Sequence, residues 1–141
     1  MSQLLVIHGP NLNLLGQRDQ SIYGDLSLDQ INANITDYAS QRGFTCDCVQ
    51  FNSETDIINA LQQVDATVTG IVLNPAAFTH TSIAIRDAIE AISCPVVEVH
   101  ISNVHQREDF RHTSLTAAVC RGQIVGFGWQ GYLLAVDYFT Y

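Results

Sequence analysis

Leu4-Leu5-Val6-Ile7-His8-Gly9-Pro10 is the stretch on which the fold turns. Four apolar residues run without a break and then meet a polar residue, a glycine and a proline, as expected of a strand buried on both faces that ends in a loop. The pattern recurs. Gly70-Ile71-Val72-Leu73 is closed by Asn74-Pro75, Pro95-Val96-Val97-Glu98-Val99 leads into His100, Phe44 to Phe51 reads as a further strand, and Val119 to Phe127 contains a fifth. Between them lie segments of helical period. Ser27, with Gln30 three residues on, opens one carrying Leu28, Ile31, Ile35, Tyr38 and Ala39, which Gly43 stops. Ser53 caps a second with Ile57, Ile58, Leu61 and Val64, and a third from about 82 to 92 presents Ile85, Ala88, Ile89 and Ile92. A last helix is expected over about 129–139, and residues 9–26, with Gly9, Pro10, Gly16 and Gly24, read as a long loop.

Five alternations of strand and helix predict a parallel sheet covered on both faces: an α/β, flavodoxin-like three-layer α/β/α sandwich with strand order 2-1-3-4-5. The 141 residues suit one domain spanning 1–141, with 47% hydrophobic and 14% charged content; a chain of about 150 residues buries roughly 70% of its unfolded surface. All six basic residues are arginines, against fourteen acidic ones, a net charge of −8. With no lysine, Schiff-base chemistry, pyridoxal-phosphate attachment and the P-loop lysine are excluded. The acidic balance speaks against nucleic acid, and no apolar run approaches the roughly 18 residues of a membrane span. Cys46, Cys48, Cys94 and Cys120 have no C-x-x-C spacing; four buried, reduced thiols in a cytoplasmic protein without a targeting segment are expected.

Sheets of this kind bind ligands beyond the carboxyl ends of their strands. Asn11, Asn13, Arg18 and Tyr23 follow the first strand; Asn74, Thr79, His80, Thr81 and Ser82 the third; Glu98, His100, Ser102, Asn103, His105, Arg107 and Arg111 end or follow the fourth. These three strands are adjacent in the expected order, so their loops should converge, whereas the second loop offers only Asn52 and Glu54. Glu98 and His100 lie two apart on a strand and share a face, so the carboxylate can hold one imidazole nitrogen while the other is aimed at a substrate; a structural ion pair is the simpler alternative. Arg18 and Tyr23 share the segment from Gly16 to Gly24. A nearby guanidinium favours the phenolate, which would make tyrosine a usable base beneath a closing lid, against an ordinary loop with an anchoring tyrosine. His80 precedes a helix whose hydroxyls can be simple caps, Asp87 lies within that helix, and Arg107 and Arg111 can grip a carboxylate. None of the five histidines has H-E-x-x-H or H-x-H spacing, so no metal is expected. A small-ligand-binding module of the same fold without catalysis is the competing reading, although Gly9-Pro10-Asn11-Leu12-Asn13 is not a hydroxyl- and glycine-rich phosphate cradle. A receiver-like signalling domain would need a lysine.

The run Gly9-Pro10-Asn11-Leu12-Asn13-Leu14-Leu15-Gly16, followed by Arg18 and Tyr23-Gly24, resembles the opening of type II 3-dehydroquinate dehydratases. The resemblance continues through Asn74-Pro75-Ala76-Ala77-Phe78-Thr79-His80-Thr81-Ser82, Val97-Glu98-Val99-His100-Ile101-Ser102-Asn103, Arg107-Glu108-Asp109-Phe110-Arg111 and Gly122-Gln123-Ile124-Val125-Gly126. It implies anti elimination of water from 3-dehydroquinate, an anionic small molecule, to 3-dehydroshikimate through an enolate, in the shikimate pathway and with neither metal nor organic cofactor. By position, Tyr23 matches the base, Arg18 the arginine that tunes it, His100 the general acid, Glu98 its orienting partner and Asn11 a residue that positions water and the enolate oxygen. Asn74, His80, Arg111 and the Ile101-Ser102 backbone match substrate-binding positions. Asp87 matches a residue that reaches a neighbouring subunit's site within trimers of a dodecamer. Gln20 stands where members often carry proline, and Phe78 where tyrosine is common. The missing lysine also separates this chain from the unrelated type I enzymes, which need one.

Overall fold

The computed structural model describes residues 2–141. Five strands, β1 (Gln3–His8), β2 (Thr45–Gln50), β3 (Val68–Asn74), β4 (Val96–His100) and β5 (Gly122–Val125), form one parallel sheet in the order β2-β1-β3-β4-β5. The order expected from the sequence is the order observed. The helices are α1 (Gln20–Tyr23), α2 (Leu28–Ser40), α3 (Glu54–Gln62), α4 (Ile83–Ala91) and α5 (Gln130–Thr140).

The sheet has a core on each face. On one, Leu4, Val6, Val72, Val97 and Val99 pack with Ile31, Ile35 and Ala39 of α2 and Tyr132, Ala135 and Val136 of α5. On the other, Ile7, Ile71, Leu73 and Val96 meet Ile57 and Leu61 of α3 and Ile85, Ala88 and Ile89 of α4. Successive residues of a strand face opposite layers, so a central strand covered on both sides needs an unbroken apolar run, as at 4–7 of β1 and 71–73 of β3, whereas the edge strand β2 alternates exposed Thr45 and Asp47 with Cys46 and Cys48. The helix starts are fixed by side chains. The Gln30 N–H donates to Ser27 Oγ while the Gln30 side chain accepts from the Ser27 N–H, a complete capping box. Ser53 and Ser82 likewise accept from the N–H groups of Asp56 and Ile85; each such cap contributes about 1 kcal/mol.

Two expectations need correction. The segment 9–26 is not all loop: a 3-10 turn occupies Leu12–Leu14, and α1 forms one helical turn capped by Asp19, whose carboxylate accepts from the Ser21 N–H. A single turn has too few residues to show a period, so apolar spacing could not reveal it. Nor are all four thiols buried. The cysteines are free, but only Cys46 is buried; Cys48, Cys94 and Cys120 are half-buried. Cys94 and Cys120 lie just ahead of the amino ends of β4 and β5.

Gly9 brings the first and third loops together. A methyl group there would stand 2.7 Å from the Pro75 carbonyl oxygen, and the Gly9 N–H donates to the Asn74 carbonyl at 2.7 Å. Only a residue without Cβ permits that approach. No helix among the described residues is long and apolar enough to cross a membrane.

Candidate active site

The loops after β1, β3 and β4 meet above the carboxyl ends of those strands. Their shared cleft is walled by Asn11, Leu12, Arg18, Tyr23, Asn74, Ala76, Ala77, His80, His100, Ile101, Ser102, Val104, Arg107 and Arg111. Both non-glycine residues with positive φ among the described residues, Asn11 (φ 69°) and Ala76 (φ 52°), lie in this wall. Left-handed backbone at such residues costs about 1–3 kcal/mol and gathers where a site dictates the chain path. Three of the six arginines face the cleft and no carboxylate lines it. A chain of net charge −8 therefore carries a locally positive pocket, suited to an anion.

Tyr23 stands at the end of α1, half-buried. Its hydroxyl accepts from Arg18 Nη2 at 2.8 Å and from Arg107 Nη1 at 2.9 Å, and the Arg18 guanidinium lies 3.9 Å from the ring centroid. Arg107 also reaches Ser102 Oγ at 3.4 Å. Two cations on one phenol oxygen stabilise negative charge at that atom.

His100, the last residue of β4, is 5% exposed, and Glu98 beneath it is fully buried. Its Nε2 lies 2.8 Å from Glu98 Oε2, which leaves Nδ1 as the nitrogen for the cleft. Glu98 Oε2 also accepts from Gln123 at 2.7 Å, Thr79 at 3.1 Å and Ser114 at 3.2 Å, and Oε1 accepts from Thr116. Burial pushes the Glu98 carboxyl up, but the hydrogen bond and charge of His100, with the Thr116 and Gln123 bonds, outweigh it and hold the group below the ordinary glutamate value. It stays ionised, and the imidazole is gripped in one orientation.

The smaller contacts fix the walls. The Asn11 N–H donates to Asn52 Oδ1 at 3.0 Å, so the second loop, which offered little by sequence, holds the first in place. His80 Nδ1 lies 2.8 Å from the Thr113 carbonyl; a carbonyl can only accept, so Nδ1 carries the hydrogen and Nε2 is left for the cleft. Arg111 pairs with Glu108 at 2.5 Å. Ile101 and Ser102 are buried, and Asn74 is 2% exposed.

Of the residues nominated from the sequence, Asn11, Arg18, Tyr23, Asn74, His80, His100, Ile101, Ser102 and Arg111 line one cleft, with Glu98 directly behind His100. Asp87 does not; it is exposed on α4. Asn13, Thr81, Asn103 and His105 are also absent from the walls, while Thr79 sits behind the cleft against Glu98 and Ser82 is a helix cap. Sequence reasoning missed Arg107 as a partner of Tyr23, since 84 residues separate them. It also missed the hydroxyls of Ser114 and Thr116. Gln123 was findable once β5 was placed beside β4, because the register sets it opposite Glu98.

The family model for dehydroquinase class II matches residues 2–140. The chain belongs to that family. It is 52% identical over 136 residues to a 3-dehydroquinate dehydratase of Bacillus cytotoxicus, covering 96% of this chain and 93% of the relative. A Bacillus cereus protein of the same name is 54% identical over the same coverage. Among solved structures, the type II dehydroquinase of Butyrivibrio crossotus superposes with a TM-score of 0.97 at 45% identity, covering 99% of this chain and 98% of that one. The type II dehydroquinase of Propionibacterium acnes gives 0.96 at 39%, covering 99% and 97%.

Proposed function

We propose that the chain is a hydro-lyase that converts 3-dehydroquinate to 3-dehydroshikimate by anti elimination, serving the shikimate pathway. One observation carries the assignment of roles. Tyr23, held by two guanidinium groups at the end of α1, and His100, held by a buried carboxylate at the end of β4, enter the same cleft. An elimination whose departing proton lies alpha to a ketone needs a base at that carbon, stabilisation of the enolate and a separate acid for the leaving hydroxyl.

Tyr23, as phenolate, takes the C2 proton, and Arg18 and Arg107 balance its charge beforehand. The electrons move onto the C3 carbonyl oxygen as the enolate, near Asn11 and a water that it positions. As the enolate collapses, the bond from C1 to its hydroxyl breaks, and His100 delivers the Nδ1 proton that lets it leave as water. Glu98 stabilises the imidazolium before the transfer and holds its orientation throughout. Asn74, His80 and the Ile101-Ser102 backbone bind hydroxyls and carboxylate, with Arg111 supplying the cation for the latter. Each proton has a side chain to carry it, so the reading asks for no metal or organic cofactor.

Residues 1–141 act as one catalytic domain, in the cytoplasm, as a homo-oligomer of trimers assembled into a dodecamer. The outward position of Asp87 on α4 fits a side chain that serves a neighbouring subunit. The test is direct: purified protein mixed with 3-dehydroquinate gives rising ultraviolet absorbance as the conjugated enone carboxylate forms. Folded protein with no turnover near neutral pH would overturn the reading, and a sedimentation mass near one chain would overturn the assembly.

A further inference from the structure

Beneath the cleft a line of side-chain hydrogen bonds runs between the sheet and the α2–α5 helix layer on one of its faces. His8 and Asn74 are register partners at the ends of β1 and β3, so their side chains stand side by side. Tyr132 of α5, fully buried, bridges them: Asn74 Nδ2 donates to the Tyr132 hydroxyl at 2.8 Å, and that hydroxyl lies 3.1 Å from His8 Nδ1. His8 Nε2 lies 2.7 Å from Asn32 Oδ1 on α2.

The polarity of this line follows from its one donor that cannot turn round. The Ala76 backbone N–H donates to Asn74 Oδ1 at 3.0 Å, so that amide end must be the oxygen and the other end the NH2. The Tyr132 oxygen accepts from Asn74 Nδ2, so its own proton goes to His8 Nδ1, and His8 carries its hydrogen on Nε2 for Asn32. Burial pushes the Tyr132 phenol up, which keeps it a neutral donor. Asn74 Nδ2 uses one of its two hydrogens on Tyr132; the second remains for the cleft that Asn74 lines. The same amide oxygen holds Ala76 in its left-handed backbone at the cleft wall.

We propose that Tyr132 and His8 are positioning residues that lock the Asn74 amide so that it presents an N–H donor to an oxygen of the substrate. They never touch the substrate; they fix which face of the amide it meets. This rests on Asn74 being a substrate-binding residue, and it adds two buried positions that act through it. Without the Tyr132 hydroxyl the Asn74 NH2 loses its acceptor, and the donor offered to the substrate is no longer held in place.

The test uses the full chain and steady-state kinetics on 3-dehydroquinate. Tyr132→Phe keeps the ring and removes the hydroxyl; KM should rise at least fivefold with kcat within about twofold. In the background of Asn74→Ala, adding Tyr132→Phe should change KM no further. His8→Asn places an amide oxygen where Nδ1 lies and should stay near wild type, whereas His8→Leu should raise KM as Tyr132→Phe does. A general packing role would not separate the two His8 variants, and it remains measurable if Tyr132→Phe folds poorly. A Tyr132→Phe KM within twofold of wild type, additive effects in the double variant, or equal behaviour of the two His8 variants would overturn the proposal. A crystal structure of Tyr132→Phe distinguishes its failure from failure of the assigned reaction, since it reports Asn74 whether or not the protein turns over: a displaced amide upholds the proposal, and an Asn74–Ala76 geometry identical to wild type sinks it.

Discussion

The two sides of the cleft are built to different standards of rigidity. His100 ends a central strand and rests on Glu98, a fully buried carboxylate that accepts from five side chains. Tyr23 rides on a four-residue helix between Gly16 and Gly24, both at positive φ, and its partners Arg18 and Arg107 are half-buried. One side is anchored through the sheet; the other hangs from a segment that buries little beyond Leu12 and Leu15. Segments with few buried contacts open locally at low cost. A substrate must enter and a product leave, so the side that can move is the loop side, while the acid that must meet a departing hydroxyl stays fixed to the strands. The lesson is that two equally necessary proton-transfer groups can have very unequal structural weight.

The sharpest break of that comparison removes one group from each side. Tyr23→Phe and His100→Ala should each lower kcat by roughly 100- to 10,000-fold, the span of general acid–base catalysis. Their stabilities should part company. Tyr23→Phe removes a hydroxyl at the half-exposed edge, and urea unfolding should change by less than about 0.5 kcal/mol. His100→Ala takes a partner from a buried carboxylate and should cost about 1–3 kcal/mol, moderated by the four donors that remain. Equal stabilities for the two variants would mean that the asymmetry is not real; a Tyr23→Phe enzyme near full rate would reassign the base.

Glu98→Gln tests the fixed side without emptying it. The amide fills the same volume but cannot stabilise the imidazolium, and loss of a charged hydrogen bond of about 1.5–3 kcal/mol corresponds to a roughly ten- to hundredfold fall in rate. Stability gives a second readout through pH. The Glu98 carboxyl is held below its ordinary value, so the folded state binds its proton less readily than the unfolded chain does. Its contribution is therefore complete above the ordinary glutamate range, about pH 4.3, and is lost as the pH falls through the depressed folded value. The gap in unfolding free energy between wild type and Glu98→Gln should be constant from pH 6 to 8 on the order of 1–3 kcal/mol, and should shrink in acid. A gap that widened toward low pH would contradict the direction of the shift.

How much of this was legible in the sequence depended on whether the signal was local. The strands and helices were read from apolar runs such as Leu4 to Ile7 and from caps such as Ser27 with Gln30, which act over a few residues, and the strand order from the commonest arrangement of such alternating elements; the structure carries all three. The Glu98–His100 pair was legible because two residues on a strand share a face, and their side chains do meet at 2.8 Å. What escaped was contact across distance. Arg107 reaches Tyr23 from another loop, and Thr116 reaches Glu98 from beyond α4; no spacing encodes either meeting. The helix α1 escaped for the opposite reason, being too short to repeat. The nominated residues that fell outside the cleft, Asn13 and His105 among them, are polar loop residues whose loops arrive there while their own side chains line no part of it.

The smallest effect belongs to Gly24, where the chain leaves α1 on the loop side. Gly24 has φ 82° and ψ −178°, a conformation open to little but glycine, and a Cβ built there meets nothing within 4 Å. Gly24→Ala therefore introduces backbone strain without a clash, on the order of 1 kcal/mol. On a segment that opens on its own, that strain acts on the closed position of Tyr23 and not on the whole fold. The expected result is a roughly fivefold fall in kcat/KM, the equivalent of about 1 kcal/mol, with the thermal midpoint shifted by no more than about 2 °C. The same strain placed in the anchored half would be felt globally, because nothing there opens alone. A Gly24→Ala protein that loses several degrees of thermal midpoint and keeps its kcat/KM would show that this segment is part of the cooperative unit, and the contrast between the two sides would then lie in chemistry alone.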